Sequence, residues 1–173
     1  MKGSRVAAVF LFALVLAQGM VGWGAGIQPA QSAQERGVAP NFRLTDLSGR
    51  PLELSSYSGK VVLIDFWATW CPPCRKMIPH LKSLRAAYQG QGFEVIGISV
   101  GEDTGTVQSF AKSNGMSYPI AISGNGQTEQ AYGGIRGIPT TFLIDKRGRI
   151  AQQYVGYHEK DVLEAEIKKL LAE

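Results

Sequence analysis

A nearly continuous apolar run, Val61-Val62-Leu63-Ile64-Asp65-Phe66-Trp67, leads through Ala68 and Thr69 into Trp70-Cys71-Pro72-Pro73-Cys74. Such a run reads as a central strand covered on both faces. Met77, Ile78, Leu81, Leu84 and Tyr88 then recur at helical spacing. Both cysteines therefore fall in a strand-to-helix turn, and the chain reads as an α/β unit. Pro79 falls inside that helix and should kink it, because its ring displaces the bond to the Arg75 carbonyl.

The chain has no other cysteine. At a helix N-terminus, Cys71 would meet the dipole and unsatisfied N–H groups that favour a thiolate. A thiolate three residues from a second thiol can attack a disulfide and then be released by its neighbour. In this context the C-x-x-C spacing points to thiol–disulfide exchange. A zinc site would need two further ligands, and His80 and His158 are far from the usual spacing. Haem attachment needs His after the second Cys, where Arg75 stands. A purely structural disulfide closing so short a loop would contribute little. The residues call for no metal and no organic cofactor.

Residues 1–27 read as a targeting segment. Lys2 and Arg5 precede the uncharged stretch Val6 to Ala17, and small residues follow. The segment is a cleaved export signal or an uncleaved membrane anchor. Either reading places the folded part outside the cytoplasm, where a chain with one C-x-x-C pair suggests chemistry more than stapling. Residues 28–37 read as a polar linker, and 38–173 as one folded domain. The formal charge of +4 is modest, and no basic run with interleaved aromatics points to nucleic acid.

Within the domain, Phe42-Arg43-Leu44 and Leu52-Glu53-Leu54 alternate around Ser48-Gly49-Arg50, as a β-hairpin does. Strands are expected at Phe93 to Val100, Tyr118 to Ile122, Thr140 to Ile144 and Ile150 to Val155. Helices are expected at Asp103 to Ser113, Thr128 to Tyr132 and along the stripe Val162, Leu163, Ile167, Leu170 and Leu171.

Three stretches resemble the thioredoxin superfamily, and within it the exported TlpA/ResA-like (DsbE/CcmG-related) thiol-disulfide oxidoreductases. They are Ala39 to Phe42 with Leu44 to Gly49, Gly59 to Cys74, and Gly137 to Asp145. The resemblance implies a thioredoxin-like α/β fold, with a central mixed sheet flanked by helices and an N-terminal β-hairpin extension. It implies that Cys71 attacks, that Cys74 resolves, and that Asp65 is the buried acid of the family. A carboxylate in an apolar central strand is costly without a task or a partner. Proton acceptor for Cys74 and partly exposed strand-end carboxylate both fit. Pro139 matches the family's cis-proline, although an Ile-Pro bond is by itself more often trans. Substrate binding is expected at Trp70, Pro72, Pro73, Ile138 and Pro139. Trp70 either shields the disulfide or is an ordinary packed aromatic. Where ResA-like members often carry Glu, this chain has Met77.

The Pro-Pro dipeptide removes two N–H groups that could stabilise a Cys71 thiolate, and no cation lies between the cysteines. Both features argue for a protein-disulfide reductase over an oxidant. The resemblance implies disulfide-bonded protein substrates, among them apocytochrome c, and a membrane electron donor of the DsbD/CcdA type, with the protein acting as a monomer. The alternatives are a periplasmic dithiol oxidase, a thiol peroxidase of peroxiredoxin type, and a non-enzymatic module that holds unfolded apoprotein. Peroxiredoxins place Thr three residues before the reactive Cys, where Ala68 stands.

Overall fold

A computed structural model describes residues 37–173. The expected signal or anchor at 1–27, and the linker apart from Gly37, lie outside the described residues. No helix among the described residues is long and apolar enough to cross a membrane.

The chain enters through a hairpin of β1 (Arg43–Thr45) and β2 (Pro51–Glu53), paired antiparallel. Asp46 builds its turn. One carboxylate oxygen accepts from Ser48 N, Ser48 Oγ and Arg50 N, and the other from Arg50 Nε at 3.0 Å. Gly49 sits at φ 81°, a conformation that costs a Cβ-bearing residue more. The hairpin turn also docks on the sheet edge, since Leu47 N donates to Ile120 O at 2.8 Å and Asp46 bridges Ala121. It thereby covers backbone that would otherwise invite a foreign strand.

The main sheet contains β3 (Val61–Trp67), β4 (Phe93–Ser99), β5 (Ile120–Ile122), β6 (Thr140–Ile144) and β7 (Ile150–Val155), in the order β5-β4-β3-β6-β7. The pairs β3–β4 and β4–β5 are parallel, and β6 and β7 run antiparallel to their neighbours. This is the mixed sheet expected. β3 is central and every residue of it is buried, which explains its unbroken apolar run.

Side chains alternate across the sheet. Val61, Leu63 and Trp67 face α1 (Pro72–Tyr88), α2 (Thr104–Ser113) and α4 (Lys160–Ala172), joining Cys74, Met77, Leu81, Val107, Leu163 and Ile167 in one core. Val62, Ile64 and Phe66 face the other way, against Phe42, Leu52, Leu54 and Tyr132. Each fully buried Leu, Met or Phe contributes roughly 1.5–3 kcal/mol by leaving water. α3 (Gln127–Ala131) is one short turn.

α1 buries Met77, Ile78, Leu81 and Leu84 of the expected stripe together with Cys74, leaves Tyr88 half-buried, and continues through Pro79 as one helix. Asp103 is the N-cap of α2, accepting from Thr106 N at 2.9 Å, and the helix proper begins one residue later than its expected start.

Candidate redox site

The end of β3 and the start of α1 create the site. Ala68, Thr69, Trp70 and Cys71 form a turn in which Cys71 N donates to Ala68 O at 3.2 Å. Cys71 is the N-cap of α1, and Pro72 and Pro73 occupy the first helical positions, where a missing N–H costs no helical bond. Cys71 and Cys74 are joined in a disulfide. The N–H of Cys74 also donates to Cys71 Sγ at 3.2 Å. Of the backbone nitrogens of Pro72, Pro73 and Cys74, only that of Cys74 carries a hydrogen to serve this sulfur. In the disulfide form both cysteines are buried, Cys71 at 3% exposure and Cys74 at 0%.

The segment before β6 supplies the opposite wall. The Ile138–Pro139 peptide bond is cis, as the resemblance implied and against the ordinary preference of an X-Pro bond. Ile138 O lies 3.6 Å from Cys71 Sγ. Thr140 Oγ1 donates to Gly137 O at 2.6 Å, and Gly156 N donates to Pro139 O at 2.8 Å. The loop is thus pinned on both sides of the proline. A groove of about 340 Å³ runs beside it, walled by Trp70, Val100, Ile135 and Ile138, with Glu129 and Arg136 also lining it. Trp70 is 65% exposed and projects from this wall; it is not a packed core aromatic. An apolar hollow of about 300 Å³ beside Tyr57, Lys60, Val62 and Asp145 opens at the opposite end of β3, remote from the sulfurs.

Asp65 lies on the face of β3 that Leu63 and Trp67 present to Cys74 and Met77. It is 1% exposed, so the strand-end alternative is removed. Burial pushes its carboxyl up from 3.8 to about 7, against the lowering effect of a hydrogen bond from Thr141 Oγ1 at 3.2 Å. Gly97 pairs with Asp65 in the sheet. A Cβ there would meet Trp67 Nε1 at 3.0 Å and Tyr118 Cε2 at 3.2 Å. The absent side chain is what lets the indole and phenol close over this part of the strand. Trp67 Nε1 is buried there without a hydrogen-bond partner among the described residues.

The expected site residues Cys71, Cys74, Trp70, Pro72, Pro73, Ile138 and Pro139 are brought together around the disulfide, and Asp65 lies on the sheet face that packs against α1. Sequence reading missed Glu102. Its carboxylate accepts from Thr69 N at 2.8 Å, from Thr69 Oγ1 and from Ser99 Oγ at 2.8 Å. The only signal was a second acid beside the Asp103 cap. Among the described residues no cluster of His, Cys, Asp and Glu could hold a metal ion.

Residues 34–171 match the redoxin family. The thiol-disulfide oxidoreductase ResA of Bacillus thuringiensis is 40% identical over 132 residues, covering 76% of each chain. That of Bacillus subtilis is 36% identical over 146 residues, covering 84% of this chain and 81% of its own. Among solved structures, a thiol:disulfide interchange protein of the thioredoxin family from Chlorobium tepidum superposes with a TM-score of 0.74 at 33% identity, covering 79% of this chain and 97% of that one. With this likeness and a disulfide set between the end of a central strand and a helix N-terminus, the chain belongs to the redoxin family and is a thiol-disulfide oxidoreductase.

Proposed function

We propose that the protein is an extracytoplasmic protein-disulfide reductase in which Cys71 is the nucleophile, Cys74 the resolving thiol and Asp65 the proton acceptor. The observation that supports the reading is the disulfide at the N-terminus of α1, with the buried carboxyl of Asp65 on the sheet face that packs against that helix; burial pushes this carboxyl up to about 7. A base poised near the working pH takes a proton with the least loss of driving force.

In the reduced enzyme the Cys71 thiolate attacks one sulfur of a substrate disulfide. A Cys71–substrate disulfide forms and the other substrate sulfur leaves as thiolate. Asp65 takes the proton of Cys74. The Cys74 thiolate then attacks Cys71 Sγ, the second substrate thiolate leaves, and the Cys71–Cys74 disulfide remains. Two electrons have passed to the substrate. The substrate segment lies along Ile138 and Pro139 and against Trp70, with Pro72 and Pro73 forming the near edge. The direction follows from the poor stabilisation of Cys71. Pro72 and Pro73 offer its sulfur no N–H, leaving that of Cys74, and no cation stands between the cysteines. A weakly stabilised thiolate makes a reducing dithiol.

In this reading residues 1–27 export or anchor the chain, 28–37 link it, and 38–173 form the redox domain, acting as a monomer. Disulfide-bonded apocytochrome c is one fitting substrate class. Electrons are resupplied by a membrane carrier of the DsbD/CcdA type, since the chain holds no nicotinamide or flavin motif. The test is a Cys74→Ala variant, reduced and mixed with a disulfide-bonded protein. A stable adduct should form on Cys71. Release of reduced substrate at the wild-type rate would overturn the assignment of Cys74.

A further inference from the structure

We infer that Glu102 is a positioning residue for the redox turn, fixing Cys71 through Thr69. The inference rests on the assignment of Cys71 as nucleophile. β3 and β4 remain in register as far as Trp67 and Ser99, and Val100 N donates to Trp67 O at 2.9 Å. Beyond this point the strands no longer pair, and the chain of β3 must still cross to the start of α1. Glu102 extends the attachment by one step. One of its oxygens accepts from the Thr69 N–H and from Ser99 Oγ, each at 2.8 Å, and the other accepts from Thr69 Oγ1.

The backbone N–H and the hydroxyl of Thr69 are therefore both held by a single carboxylate, itself steadied by the last residue of β4. Thr69 is the second residue of the turn that Cys71 N closes on Ala68 O. A β-turn is defined by its two central residues, so holding Thr69 sets the direction in which Trp70 and Cys71 leave. That direction puts Cys71 Sγ within reach of the Cys74 N–H. A looser turn lets the sulfur leave this donor, and a thiolate without its donor is less favoured.

Glu102 could also act as a simple negative charge, and the two roles predict opposite signs. Loss of a nearby anion favours the Cys71 thiolate, whereas loss of the positioning bonds disfavours it. The other acidic and basic groups on the elements around the disulfide are Asp65 on β3, Arg75, Lys76, His80, Lys82 and Arg85 on α1, Asp103 beside Glu102 at the start of α2, Glu129 on α3, and Arg136 before β6. All remain in place in the variants.

The experiment is the pH dependence of iodoacetamide labelling in the reduced full-length protein, with peptide mapping to assign the labelled cysteine. In Glu102→Ala the midpoint for Cys71 should rise by roughly half to one pH unit, the scale of losing part of a hydrogen bond to the charged form. In Glu102→Gln it should stay at or below wild type, because the amide oxygen still accepts from Thr69 N and Ser99, and the amide nitrogen can donate to Thr69 Oγ1. An unchanged or lowered midpoint in Glu102→Ala overturns the inference, as does an equal rise in Glu102→Gln. If Glu102→Ala does not fold, Thr69→Val, which deletes only the hydroxyl bond, decides by the same criterion with a smaller rise. Labelling of Cys74 before Cys71 in the wild type would instead refute the nucleophile assignment beneath it.

Discussion

Replacing Asp65 with Asn should stabilise the oxidised protein at pH 8 relative to its behaviour at pH 4. In the unfolded chain this carboxyl ionises near 3.8, and in the folded chain burial holds it to about 7. Between those values the unfolded chain has released a proton that the folded chain keeps. Stability therefore falls as pH rises, by up to about 1.4 kcal/mol for each pH unit, and about 4 kcal/mol is lost once the pH exceeds 7. An amide at this position does not titrate, so the variant is spared that loss. Its Oδ1 can still accept from Thr141 Oγ1, and any mismatch of the new amide is independent of pH. The difference between the two proteins should be flat below pH 4, rise through the interval and level off above 7. Urea unfolding followed by tryptophan fluorescence from pH 4 to 9 measures it, and with a slope near 2 kcal/mol/M the gain is about 2 M in midpoint. The disulfide form is the one to use, since neither cysteine then titrates. A difference that stays flat between pH 4 and 8 would show that the fold does not perturb this carboxyl, and the argument for Asp65 as a neutral-pH base would fail with it.

Two other perturbations follow from the packing. Gly97→Ala places a Cβ against the Trp67 indole and the Tyr118 ring, and should cost about 1–3 kcal/mol in thermal or urea unfolding; a neutral result would mean that these rings can retreat. Asp46→Ala removes the acceptor for Ser48 and Arg50 in the hairpin turn and should cost about 1–3 kcal/mol at pH 7. Burial raises the Asp46 carboxyl, but the bonds from Ser48 and Arg50 outweigh it and hold it at about 2. Its contribution should therefore persist above pH 4 and vanish as pH falls toward 2, which urea titrations of both proteins would follow.

The strand–turn–helix around the cysteines could be read because its signals are local: a nearly unbroken apolar run followed at once by a helical stripe. The hairpin was legible for the same reason, with Ser48-Gly49-Arg50 between alternating segments. Asp65 could be flagged because an acid in a buried strand conflicts with its surroundings. Its actual burial depended on which elements pack over its face of β3, which no local pattern states. Glu102 was not legible. Its partner Thr69 lies 33 residues away, and the two meet only after β3 and β4 pair in parallel. The cis bond at Pro139 was likewise beyond local preference, which favours trans, and only the resemblance pointed to it. The docking of the hairpin turn on β5 rests on backbone atoms, which carry no residue signature.

Whether Cys71 and Cys74 reduce their substrates or oxidise them is decided by the reduction potential of the pair. Equilibration of the protein against glutathione mixtures, with the two redox forms separated after alkylation, should give a value on the order of −200 to −280 mV, the span from glutaredoxins to thioredoxin. A value near −120 mV, that of a strong dithiol oxidant, would contradict the reductase assignment and make Cys71–Cys74 a donor of disulfides.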